Sequence, residues 1–174
     1  RIPSSAASDV YKRQPVPMSR LLQGDVGSGK TIIAIASLLL VIEKNLQGAF
    51  MVPTEVLAEQ HYKNLLKYLN PLLVSVELLT GNTPQKKRKE IFSNLNNGLV
   101  DILVGTHALF EDKVIFNALG MVVIDEQHRF GVTQRNRLLN KGENTNLLSM
   151  TATPIPRTLA LSIYGDLDVS QITE

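Results

Sequence analysis

Residues 20–31, "RLLQGDVGSGKT", place a short apolar run directly before a glycine-rich turn and a Lys-Thr pair. Residues 24–31 fit G-x-x-x-x-G-K-[ST], and the apolar stretch behind them, "IIAIASLLLVI" (32–42), has the length of a helix. Strand, glycine turn and helix together form the context in which this pattern holds phosphate. Gly24, Gly27 and Gly29, with Ser28 between them, let backbone N–H groups turn inward around phosphate oxygens without Cβ clashes. The following helix presents its positive N-terminus to the same anion. Lys30 is expected to reach the β- and γ-phosphates, and Thr31 to offer a hydroxyl to Mg2+.

Outward from this turn, short apolar runs alternate with amphipathic stretches. The runs are "RLLQ" (20–23), "AFMV" (49–52), "VSVELL" (74–79), "DILVG" (101–105), "MVVID" (121–125) and "NLLSM" (146–150). Helices are expected at about 31–46, 55–69, 84–97, 133–140 and 155–164, the first of them buried. Continuously apolar strands are typical of a parallel sheet covered on both faces. The predicted fold is therefore α/β, doubly wound, with a mainly parallel sheet and helices on both faces. Ligands of such folds bind outside the carboxyl ends of the strands. Each chemically loaded segment here follows a strand: "GDVGSGKT", "PTE", "TGN", "GTH", "DEQH" and "TATP".

The segment "MVVIDEQHRFGV" (121–132) ends a buried strand in two adjacent acids. A cation would relieve their repulsion and give each a separate task. Asp125 is the candidate partner of Thr31 in holding Mg2+, from a neighbouring strand end. Glu126 is placed to polarise an attacking water. A GTPase is disfavoured, because "NKGE" (140–143) ends in Glu and follows a polar helical stretch rather than a strand. A lone histidine at a strand end, such as His128, is usually a hydrogen-bonded structural residue or a metal ligand, and no cysteine or second nearby histidine supports a metal site here.

A chain of 174 residues, 44% hydrophobic and 20% charged, is the size of one soluble domain. Its net charge of +2 is too small to argue for nucleic acid by itself. The longest apolar run is too short to span a bilayer, and no secretory or lipidation signal is visible. Together with the lack of cysteine this fits a cytoplasmic setting without a membrane partner. The first fourteen residues, "RIPSSAASDVYKRQ", are polar and aperiodic and read as a non-native or disordered leader, with the domain proper over 15–174.

The motifs together resemble the superfamily 2 helicases and translocases, and within them the RecG family of bacterial ATP-dependent DNA helicases. The resemblance covers about residues 15–174 and is carried by "RLLQGDVGSGKT", "VPTEVLAEQH", "VGTHAL", "VVIDEQHRFGV" and "TATPIPRTLALSIYGDLDVS". It implies a RecA-like first motor lobe that binds ATP and Mg2+ and contacts branched DNA through its backbone. It also implies catalytic roles for Lys30, Asp125 and Glu126. Coupling roles follow for Gln127, His128, Thr151, Ala152 and Thr153, with His128 expected to hydrogen-bond the hydroxyls of Thr151 or Thr153, and DNA contacts for Pro53, Thr54, Gln60, Gly81, Thr106 and His107. Read as residues alone, Thr54 could equally be a helix cap. The basic run "QKKRKE" (85–90) could meet phosphates, but a charge run at helical spacing is more often a solvated face. Transcription-repair coupling factors share the "HRFGV" and "TATPIPRTL" style, so a duplex-DNA translocase is the alternative enzyme, and a non-catalytic nucleotide-binding module the alternative of another class. The sequence stops at "DLDVSQITE", and the resemblance implies a second lobe of the same parent chain that supplies arginines to the phosphates. The lobe alone is expected to hydrolyse little.

Overall fold

The structure is a computed structural model that describes residues 16–164 and 167–172. The segment expected to be a leader, 1–14, lies outside the described residues. In chain order the elements are β1 (Ser19–Gln23), α1 (Lys30–Ile42), β2 (Gln47–Met51), α2 (Glu55–Leu69), β3 (Val76–Leu79) and α3 (Gln85–Asn96). They continue as β4 (Ile102–Gly105), β5 (Leu119–Ile124), α4 (Val132–Leu139), β6 (Asn146–Thr151), α5 (Arg157–Tyr164) and β7 (Asp168–Gln171). Three short 3₁₀ turns intervene, at Asn70–Leu72, His107–Phe110 and Gln127–Arg129. All six expected strands and all five expected helices are present, and β7 is an addition that the polar sequence "DVSQ" did not announce.

Among the described residues the strands form one sheet in the order β3-β4-β2-β5-β6-β1-β7. Every pairing is parallel. Successive strand residues point to opposite faces, so each central strand feeds two cores. In β2, Ala49 and Met51 face one core and Phe50 the other, and in β5 Val122 and Ile124 alternate with Met121 and Val123. Helices α1 and α2 cover the second core through Ala34, Ile35, Leu38 and Val41 and through Ala58, Leu65 and Leu69. Helices α3, α4 and α5 cover the first with Ile91, Leu95, Leu138 and Ala160. Burying a side chain such as Leu38 or Leu65 contributes about 2 kcal/mol relative to leaving it in water. These two layers hold the sheet edge rigid.

One sequence expectation needs correction here. Helix α1 is not buried all round: Ile32, Ile33 and Leu40 are 61%, 40% and 62% exposed. Only the positions at helical spacing toward the sheet are covered, because a helix lying on a sheet contacts it along one stripe.

The parallel register aligns the strand ends. Gln23 lies opposite Thr151, Met51 opposite both Ile124 and Gly105, and Leu79 opposite Gly105. Gly105 is required by close approach: a Cβ there would lie 2.3 Å from the carbonyl oxygen of Leu79. The loops that follow β1 to β6 therefore leave the sheet along a single carboxyl edge.

Candidate active site

The carboxyl edge divides in two along the strand order. The ends of β5, β6 and β1 carry Asp125, Thr151 and Gly24, and the ends of β3, β4 and β2 carry Gly81, Thr106 and Pro53. Asp125 was expected at a strand end neighbouring the glycine turn. The structure corrects this, because β6 lies between β5 and β1 and its Thr151–Thr153 loop sits between the two motifs.

Gly27 and Gly29 hold the turn with φ of +84° and +90°, conformations that side-chain-bearing residues rarely adopt. A Cβ at either position would meet nothing within 4 Å, so the backbone borders open space. The Ser28 hydroxyl is buried and has no partner. Lys30 folds its ammonium onto the loop, donating to the carbonyls of Gly24 (2.5 Å) and Asp25 (2.7 Å). An open cradle with a waiting hydroxyl and a cation at its rim fits a polyphosphate. Thr31, in the first turn of α1, and Asp125 provide a hydroxyl and a carboxylate, oxygen donors suited to Mg2+. Among the described residues no cluster of three or more His, Cys, Asp or Glu side chains could hold a metal alone.

Asp125 is held at its N–H and at both carboxylate oxygens. Its N–H donates to the Met51 carbonyl (2.9 Å), Oδ1 accepts from the Glu126 N–H (2.9 Å), and Oδ2 meets His61 Nε2 (2.9 Å). Glu126 adopts left-handed φ and ψ of 52° and 53°, which turns its side chain off the strand line. Such a conformation costs a non-glycine residue about 1–2 kcal/mol and is retained where geometry matters. Gln127 is buried with its Oε1 unpaired.

The β6 loop is tied to the glycine turn through backbone. The Gly24 N–H donates to the Thr151 carbonyl (3.2 Å), and the Gln23 side chain donates to the Ile155 carbonyl (3.2 Å). The Thr151 hydroxyl accepts from the Thr153 N–H (3.1 Å). Ala152 and Pro154 line a cleft of about 130 Å³ with Gly24, Asp25 and Ile172. A larger cavity of about 610 Å³ lies near Leu46, Leu119 and Gly142, where β2 and β5 begin, at the end of the sheet away from these motifs.

His128 departs from expectation. Its side chain is exposed and makes no hydrogen bond to Thr151 or Thr153, because the 3₁₀ turn over 127–129 points Gln127 inward instead. On the other half of the edge, Thr54 caps α2 by accepting from the Leu57 N–H (3.3 Å). Gln60, Gly81 and His107 are exposed, whereas Thr106 is buried. The burial of Thr106 corrects its expected place on a contact surface. His107 packs its ring against Phe110 and Phe130, at centroid distances of 5.9 and 5.5 Å. The basic run is not simply a solvated face either. Arg88 is buried, pairing with Glu111 (2.5 Å) and donating to the Thr80 carbonyl (2.7 Å), while Lys87 pairs with Glu77 (3.0 Å).

Sequence reasoning missed His61. Its signal was a lone polar residue on the buried stripe of an amphipathic helix, with Ala58, Leu65 and Leu69.

The model of the DEAD/DEAH box helicase family matches residues 5–161. The ATP-dependent DNA helicase RecG of Synechocystis sp. is 56% identical over 174 residues, all of this chain and 21% of that protein. RecG of Bacillus subtilis is 56% identical over 160 residues, covering 92% of this chain and 24% of that protein. A solved structure of RecG bound to a three-way DNA junction superposes with a TM-score of 0.77 at 42% identity, over 99% of this chain and 26% of that one. The helicase MrfA bound to DNA and AMPPNP, at 18% identity and a TM-score of 0.69, shares the fold. The chain thus spans about a fifth to a quarter of the length of these relatives. With the motif edge, the family match and this identity in agreement, the chain belongs to the DEAD/DEAH box helicase family, and its similarity within that family is to RecG.

Proposed function

We propose that this chain is the ATP-binding motor lobe of an ATP-dependent DNA helicase that remodels branched DNA, such as forks and junctions, in recombination and repair. The observation that carries the reading is the single carboxyl edge on which the glycine turn, the Asp125–Glu126 pair and the Thr151–Thr153 loop meet, with Gly24 bonded directly to Thr151. The lobe binds ATP with Gly24, Gly27, Ser28, Gly29, Lys30 and Thr31. Thr31 and Asp125 hold Mg2+, whose charge when bound offsets that of the phosphates. Lys30 leaves its loop carbonyls for the terminal phosphates, and Glu126 takes the proton of the attacking water. The Gly24–Thr151 bond gives the nucleotide loop a mechanical route to Thr151, Ala152 and Thr153. Gln127, buried beside them, and His128 complete the coupling set.

DNA is met on the other half of the edge by Pro53, Thr54, Gln60, Gly81 and His107. Backbone and small side chains there suit sugar-phosphate rather than base contact. A second lobe of the same parent chain supplies the opposite wall of the nucleotide site and its arginines, so the lobe alone binds nucleotide and turns over slowly. The similarity to RecG favours this reading over a duplex-tracking translocase or a non-catalytic module. The parent's ATPase rate on forked DNA, linear duplex and no DNA tests it. The expected result is strong stimulation by the fork over the duplex, and equal stimulation by both would refute the branched-DNA assignment.

A further inference from the structure

Helix α2 lays an apolar stripe against the sheet through Ala58, Leu65 and Leu69, and His61 interrupts that stripe. The His61 side chain is only 11% exposed, and its ring packs on Phe50 at a centroid distance of 4.7 Å. Among the described residues, Nδ1 is buried without any partner. A ring N–H at that position would have no acceptor, so the N–H belongs on Nε2 and donates to Asp125 Oδ2 at 2.9 Å. An unpaired buried polar atom costs free energy that a leucine at the same site would not. The stripe therefore tolerates a loss of stability, and the bond gained in return is to Asp125, on the same carboxyl edge as the glycine turn. In space Asp125 sits where the two halves of the edge meet, with its N–H on β2 and its carboxylate on α2.

We propose that His61 is a positioning residue for Asp125, its Nε2–H fixing Oδ2 so that the carboxylate is pre-set to take Mg2+ with a bound nucleotide. This rests on the nucleotide-binding reading above. Hydrogen bonds from neighbouring groups orient metal-binding side chains, and their removal typically weakens metal affinity by about 10–100-fold. The same helix reaches the other half of the edge. Glu55, in its first turn, accepts from the Asn82 N–H (3.3 Å) and the Asn82 side-chain amide (2.5 Å). Helix α2 is thereby a strut joining the Gly81–Asn82 loop to the metal acid across β2.

The test uses this chain, a fluorescent ADP analogue, and titrations in Mg2+ and in EDTA, on wild type, His61→Leu and His61→Gln. Leucine keeps the apolar volume without a donor, and glutamine restores an N–H at similar reach. The expected result is an Mg2+ half-saturation raised about tenfold in His61→Leu and largely restored in His61→Gln, with affinity in EDTA unchanged. An unaltered Mg2+ response in His61→Leu overturns the inference, as does an equal loss of affinity in EDTA, which marks a merely structural role. Should His61→Leu not fold, the 15N signals of the wild-type ring decide. A protonated Nε2 that shifts in Asp125→Asn supports the inference, and a ring indifferent to that substitution overturns it. A wild type that binds no nucleotide refutes the functional reading itself, a result distinct from a wild-type response with flat variants.

Discussion

The two halves of the carboxyl edge are built differently. Around β1, β6 and β5 the loops are held through main-chain N–H groups: Gly24 donates to the Thr151 carbonyl, Asp125 to the Met51 carbonyl at the end of β2, and Glu126 to the Asp125 carboxylate. Around β2, β4 and β3 they are tied by side chains of their own helices, with Thr54 capping α2, Glu55 holding Asn82 and Arg88 holding the Thr80 carbonyl. On the proposed function, phosphate chemistry requires fixed N–H groups and acids on the first half, whereas contact with a nucleic-acid backbone requires only small exposed groups on a firm base on the second. Substitutions should therefore act steeply on the first half and shallowly on the second.

The largest effect is expected at Lys30. Among the described residues its ammonium bonds only two loop carbonyls, so Lys30→Ala should leave the fold intact. Losing a charged donor at the phosphates should weaken nucleotide affinity by about two orders of magnitude, read by fluorescent-nucleotide titration. An affinity within threefold of wild type would break the contrast between the halves at its strongest point.

Glu126 comes next and separates chemistry from stability. Glu126→Gln in the parent should lower ATP hydrolysis by about 10²–10⁴-fold while nucleotide affinity is kept. Glu126→Gly should lose the same activity yet relieve the left-handed backbone, raising the unfolding free energy of this chain by about 1 kcal/mol. Denaturant titration measures that gain. A destabilised Glu126→Gly would mean the side chain carries structural weight that its geometry does not show.

Much of this was legible in the sequence, and the misses have physical causes. The glycine turn and the acid pair stand out because phosphate and metal chemistry restrict residue type at fixed spacing. The strands stand out because both faces of the sheet are covered, so β4 and β5 read as unbroken apolar runs and β2 does so after its opening Gln47. Strand β7 escaped because it pairs with β1 alone and keeps the polar composition of an edge. His61 escaped because its partner is 64 residues away, a distance that helix packing closes and spacing cannot. His128 misled for the opposite reason. Proximity in sequence to Asp125 suggested an inward side chain, but the short turn after Glu126 sends Gln127 inward and leaves His128 outside.

Thr54 gives the mildest prediction and the sharpest view of the strand-facing half. Its hydroxyl caps α2 at 3.3 Å, and the residue is exposed, so one group can serve both helix and DNA. Thr54→Ala should cost about 1 kcal/mol of stability through the lost cap, whereas Thr54→Asp should keep the cap. The two roles then separate in the parent protein. If Thr54 touches DNA phosphate, Thr54→Asp weakens DNA binding by repulsion while stability holds, and Thr54→Ala weakens it only modestly. If Thr54 is a cap alone, DNA affinity is the same in Thr54→Asp and wild type, and the contact surface moves to Pro53, Gly81 and His107. Because the Glu55–Asn82 bond hangs from the same helix turn, loss of the cap should also loosen the Gly81 loop, which hydrogen exchange at Asn82 would register.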